Sequence, residues 1–275
     1  MSASARAPHG VLFIVSLVIS MKSLKLMPPN LKLIVGNWKL NPSGLNDAIA
    51  LTSGVSMGID SADFEHMVLL PPYIFLEELV KRFKQIQWGA QDVFWEQQGA
   101  YTGEVSLFML KDIGVNWVLV GHSERRRYFH ETDETVNKKT RAALEQGFNV
   151  IVAVGELSHD ADITEVEKSL KNSIADVQPS GFDSLYVAYE PVWAISSNPG
   201  AVADDPARSN QVIGYLKQTL FNMFGAESEK IKFLYGGSVN AANAESFLSQ
   251  PNISGALIGG ASLKVEEFTA IVSRS

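Results

Sequence analysis

Cysteine is absent from all 275 residues, which excludes disulfides, thiolate zinc sites, iron–sulfur clusters and a thiol nucleophile. An apolar run of membrane-spanning length is absent too. The N-terminal run VLFIVSLVIS, Val11–Ser20, is ten residues behind Arg6 and too short to cross a bilayer. It is similar to a signal-peptide core, but no small-x-small cleavage site follows it. Residues 1–27 are therefore read as an extension, an over-long start or a targeting segment, and residues 28–275 as one domain. Positive charge is not in excess: 23 Lys and Arg against 30 Asp and Glu leave −7, which argues against nucleic-acid and anionic-membrane partners. An anionic small substrate stays open, because capture depends on the local field rather than net charge. No GxGxxG, GxxxxGK[ST] or HExxH string occurs, so dinucleotide, P-loop and zincin readings have no support.

What is present is a repeat of short apolar runs separated by amphipathic stretches. The runs are Leu31–Gly36, His66–Pro71, Ile86–Ala90, Asn116–Gly121, Val150–Gly155, Leu185–Glu190, Lys232–Gly237 and Gly255–Gly260. Most are apolar at consecutive positions, as expected of parallel strands covered on both faces. Between them, Asp133–Gly147 places Val136, Thr140, Ala143 and Leu144 on one helical face, and Ile163–Val177 does the same with Ile163, Val166, Leu170 and Ile174. Eight such units without a linker or low-complexity block predict an α/β fold, a single-domain (β/α)8 TIM barrel. A doubly wound sheet is the competitor, and the missing glycine-rich dinucleotide turn counts against it.

In a barrel, chemistry gathers where strands end and βα loops begin. The first strand ends in Asn37 and Lys39, the fourth in His122, Ser123 and Glu124, and the sixth in Glu190. The last two run into glycine pairs, Gly236-Gly237 with Ser238 and Gly259-Gly260, whose bare backbone lets an anion approach N–H groups closely. Each piece has a bland reading: a structural histidine, a solvated lysine, tight turns, a glutamate in a buried ion pair. Together they place a base, an electrophile, a cation and an anion nest on one rim.

The strings GNWKLN, GAYTGEVS, LVGHSERR, ETDETVNKKTRAALEQG, AVGE, AYEPVWAI, LYGGSVNAANAESFLSQP and GALIGGASL resemble the triosephosphate isomerase family from about Leu31 to Phe268. The family's acid–base pattern is well established. Carried over residue by residue, the resemblance implies Glu190 as general base and a neutral His122 as electrophile. It implies Lys39 as fixed cation and Asn37 as donor, with Ser123 and Glu124 in support. Substrate phosphate would sit on Ser196, Ser238, Gly259 and Gly260 beneath the loop after the sixth strand. Pro191–Trp193 would be that loop's stiff first hinge and Tyr235 its latch. Thr102 would tip a loop that steadies Asn37 and Lys39 of a second subunit. The implied protein is a cytoplasmic homodimer acting on a small phosphorylated sugar, with no cofactor and no metal.

Three departures stand out. Ala153 occupies a position where the family usually has cysteine, and Asp92 one where it usually has asparagine. The stretch Ser196–Arg208, SSNPGAVADDPAR, replaces a glycine-tipped loop with a K-T-A second hinge and, aligned on Pro206, is longer. That loop keeps two rivals open: an isomerase of a larger ketose phosphate such as a tetrulose phosphate, and a non-catalytic barrel that binds phosphorylated metabolites.

Overall fold

The computed structural model describes residues 31–195 and 200–275. The extension, residues 1–27, lies outside the described residues, as does Ser196. Eight strands follow one another in sequence and in space: β1 (Leu33–Asn37), β2 (Met67–Leu70), β3 (Gln87–Ala90), β4 (Trp117–Val120), β5 (Asn149–Glu156), β6 (Leu185–Pro191), β7 (Lys232–Tyr235) and β8 (Gly255–Ile258). All pairings are parallel and β8 returns to β1, closing the barrel. The helices that matter for the site are α1 (Leu45–Gly58), α2 (Tyr73–Arg82), α3 (Leu107–Asp112), α4 (Ser123–Phe129), α5 (Asp133–Glu145), α6 (Ile163–Ser173) and α7 (Pro206–Phe224). The string Gly54–Gly58, which has GxSxG spacing, lies within α1 rather than at a strand-to-helix turn. Among the described residues no helix is long and apolar enough to cross a membrane.

The two-residue period of a strand sorts the core into two layers. Leu33, Val35, Leu119, Ile151, Ala153, Tyr186, Ala188, Leu234 and Leu257 belong to the cluster inside the barrel. Ile34, Val118, Val152, Val187, Tyr189, Phe233 and Tyr235 belong to the cluster beneath the helices. Continued by one step, the inward series reaches Asn37 on β1 and Glu190 on β6, both buried at the strand ends. The same parity thus fills the barrel and aims these two polar side chains into its mouth.

Helix α5 starts on a capping box between Thr132 and Thr135 and buries Val136, Thr140 and Ala143 as the pattern predicts. Leu144 is only half-buried, and Lys139, three residues after Val136 on the same face, is buried with it. Ala153 is fully buried inside the barrel and accommodates the backbone beside it, its carbonyl accepting a hydrogen bond from Arg126 at 3.2 Å.

Strand β6 is fixed most firmly by β5, which pairs with it from Val150↔Leu185 to Glu156↔Pro191. At Gly155, paired with Glu190, a Cβ would lie 1.8 Å from the Glu190 carbonyl oxygen. Gly155→Ala must therefore part the two strands at their C-terminal ends. We expect it to lower unfolding free energy by about 2–4 kcal/mol in denaturant titration. A loss within about 0.5 kcal/mol would show that the strands separate there without cost.

Candidate active site

The polar groups at the strand ends form one connected set. Glu190 is 2% exposed, and its Oε2 accepts the Ser123 backbone N–H at 2.9 Å. Its Oε1 lies 3.1 Å from His122 Nε2, but without the alignment of a hydrogen bond, and accepts none within the protein. A buried carboxylate oxygen left without a donor is uncommon and is what a base directed at a substrate requires.

His122 is the N-cap of α4, its Nδ1 accepting the Glu124 N–H at 3.2 Å. With Nδ1 used as an acceptor, a neutral ring carries its proton on Nε2, the nitrogen that faces Glu190. The tautomer is thus set by where the helix begins: the orphan N–H of the first turn takes the lone pair on Nδ1. Glu124 also accepts from Lys39 Nζ at 2.7 Å, so one acid is bonded to the ammonium through its side chain and to the imidazole through its backbone.

Lys39 adopts a left-handed backbone, φ 53°, uncommon for a residue with a Cβ. The conformation is held from both sides: its N–H donates to Asn37 Oδ1 at 3.0 Å, and its carbonyl accepts from Gln91 Nε2 at 2.8 Å. Gln91 also donates to the Leu70 carbonyl at 2.8 Å, tying the β1 turn to the end of β2. Gln91 has no distinguishing signal in the sequence, where it is one glutamine among several after β3.

Asn37, Lys39, His122 and Glu190 line one pocket with Gly237, Ser238, Gly259 and Gly260. Gly237 has to be glycine, because a Cβ would lie 2.2 Å from the Tyr235 hydroxyl packed beneath it. The structure thus brings the expected base, electrophile, cation and glycine turns together. Ser123 and Glu124 support the set from α4. Tyr235 faces the outer layer, stacked on Phe247 at 4.1 Å, with its hydroxyl 3.2 Å from Asp204 Oδ2. Burial and then the Asp204 charge hold that phenol well above its ordinary range, so it serves as a donor. Thr102 is exposed and does not line the pocket.

A second cavity of about 570 Å³ lies against Glu190, lined also by Ser123, Gly155, Leu157, Val166 and Val192. It is the larger of the two, whereas Asn37, Lys39, His122 and the glycine turns converge on the smaller. Among the described residues no group of three or more His, Asp or Glu side chains is arranged to hold a metal ion.

Beneath Gln91, Asp92 sits in a buried ion cluster. Lys139 Nζ lies 2.6 Å from its carboxylate and Arg125 Nη2 2.8 Å, and both cations also bond Glu131. Burial, opposed by Lys139, pushes the Asp92 carboxyl up to about 6. Glu131 goes the other way, because its bonds to Lys139 and Arg125 outweigh its desolvation.

A family model described as Triosephosphate isomerase matches residues 32–275. Relatives named triosephosphate isomerase include that of Alkaliphilus oremlandii, 38% identical over 248 residues, covering 88% of this chain and 98% of the relative. That of Caldanaerobacter subterraneus is 40% identical over 252 residues, and that of Thermoanaerobacter pseudethanolicus 41% over 248, with the same coverage.

Asp92→Asn tests the cluster. A carboxyl raised by folding contributes stability below its unfolded value near 4 that is lost as pH rises through its folded value of about 6. The amide variant should therefore gain on the parent between pH 4 and 7.5, by on the order of 1–3 kcal/mol in thermal or denaturant unfolding. A gap independent of pH would mean that Asp92 ionises alike in the folded and unfolded chains.

Proposed function

The chain belongs to the triosephosphate isomerase family, and we infer that the pocket at the barrel mouth carries out the family's reaction with Glu190 as base and His122 as electrophile. The enzyme interconverts D-glyceraldehyde 3-phosphate and dihydroxyacetone phosphate. The observation that carries the assignment of roles is the Glu190 carboxylate: one oxygen held by Ser123 N–H, the other buried without a donor beside His122 Nε2.

A C–H beside a carbonyl is a weak acid, and removing its proton needs a base in contact while charge on the carbonyl oxygen is stabilised. Glu190 takes the proton, the C–H electron pair becomes the enediolate double bond, and the carbonyl π pair moves onto oxygen. The Nε2–H of His122 donates to that oxygen, and Lys39 and Asn37 face the growing negative charge. Glu190 then returns the proton to the neighbouring carbon, while the hydroxyl proton of the first carbon passes by way of His122 Nε2 to the oxygen that gained the charge, so that the carbonyl re-forms on the first carbon. The phosphate is assigned to the turns at Gly237, Ser238, Gly259 and Gly260, where backbone can approach an anion.

The assembly we propose is a homodimer. Leu40, on the connection after β1, is 93% exposed, and Ile74 of α2 is 83%, Met109 of α3 57% and Phe129 of α4 65%. Exposed apolar side chains in the segments that follow β1 to β4 are the contact surface we propose, with exposed Thr102 on the connection after β3. We place the enzyme in the cytoplasm, as membership of the family implies.

In a coupled assay without added metal, triose phosphate should be turned over with kcat/KM far above that for a tetrulose phosphate. The reverse order would move the assignment to a larger ketose. Glu190→Asp withdraws the carboxylate by one methylene and should lower kcat roughly 100-fold with little change in KM. Unchanged turnover would remove Glu190 from the chemistry.

A further inference from the structure

The connection from β6 to α7 is where the sequence parts most from its family, and its described ends are fastened in a specific way. The two ends lie side by side, the Val202 N–H donating to the Trp193 carbonyl at 3.1 Å. Arg208, in the first turn of α7, meets both. Its guanidinium lies over the Trp193 ring, 5.0 Å from the centroid, and its Nη1 is 3.8 Å from Asp204 Oδ1. The same group is anchored to the barrel: Nη2 donates to Glu156 Oε2 at 2.7 Å and Nη1 to the Tyr189 hydroxyl at 3.1 Å. Glu156 in turn accepts from Trp193 Nε1 at 3.4 Å and from Tyr189. Asp204, its side chain fully buried, accepts from the hydroxyls of Tyr235 and Ser209.

We propose that Arg208 is a positioning residue that fastens both ends of this connection to β5 and β6, so that they shift only together. It thereby also holds the end of β6, where Pro191 follows Glu190. The planar fork is needed for this: one face stacks on Trp193 while the edges bond Glu156 and Tyr189, which an ammonium cannot reproduce. Asp204 stands where the K-T-A hinge is missing, and its carboxylate ties the second end to Tyr235. The link to catalysis rests on the reading of Glu190 as the base.

Hydrogen–deuterium exchange on the full chain, read by mass spectrometry, tests the role without reference to activity. In Arg208→Gln, peptides covering Val192–Ile195 and Gly200–Asp205 should both exchange roughly tenfold faster, with the barrel strands unchanged. Arg208→Lys should recover little of the protection, and it decides the matter if the glutamine variant does not fold. Asp204→Asn, which leaves the hold on Trp193 and Glu156 intact, should speed exchange at the second end alone. Exchange equal to the parent, or acceleration confined to one end in both Arg208 variants, overturns the proposal. In the same proteins, Arg208→Gln should lower kcat roughly tenfold with KM within about threefold. A parent without isomerase activity would overturn the proposed reaction and leave exchange to judge Arg208. An active parent with unchanged exchange in the variants would overturn the positioning role alone.

Discussion

One buried carboxylate organises the mouth of this barrel. Glu190 is driven inward by the parity of β6, held at its height by pairing with Gly155, and half-satisfied by a backbone N–H. A buried carboxylate that lacks its full set of donors is costly. It persists because it is part of a strand whose other residues are packed on both faces. The fold stabilises a local arrangement that the isolated side chain would abandon.

The rest of the site answers that carboxylate. The first turn of α4 supplies Ser123 N–H to Glu190 and Glu124 N–H to His122, so one helix start both holds the carboxylate and fixes the imidazole tautomer. Glu124 bonds Lys39, and Lys39 keeps its left-handed backbone through Asn37 and Gln91. Strain of this kind survives only where neighbours over-determine it. Here they come from β1, from the residues after β3 and from α4.

Much of this was legible in the sequence. The eight strands read as apolar runs because both faces of a parallel strand are covered, and the site residues read as polar interruptions at their ends. The less legible residues share a physical reason. Glu156 and Tyr189 lie on the outward parity and meet Arg208 from 52 and 19 residues away, so no local pattern joins them. Lys139 looks like a solvated helix residue and is buried because two acids from separate loops converge on it. Asp92, visible only as a departure from family habit, meets Lys139 and Arg125 only when the fold assembles the same cluster. Asp204 hid inside a loop-like stretch that carries no periodicity.

The account stands or falls on whether Glu190 carries the proton. The direct measurement is deuterium incorporation at the carbon beside the carbonyl when triose phosphate is equilibrated with the enzyme in deuterium oxide. The parent should label that carbon at the rate of turnover, and Glu190→Gln, of the same shape but unable to accept a proton, should label it no faster than buffer. Labelling by Glu190→Gln at a rate near the parent's would contradict the account and place the base elsewhere.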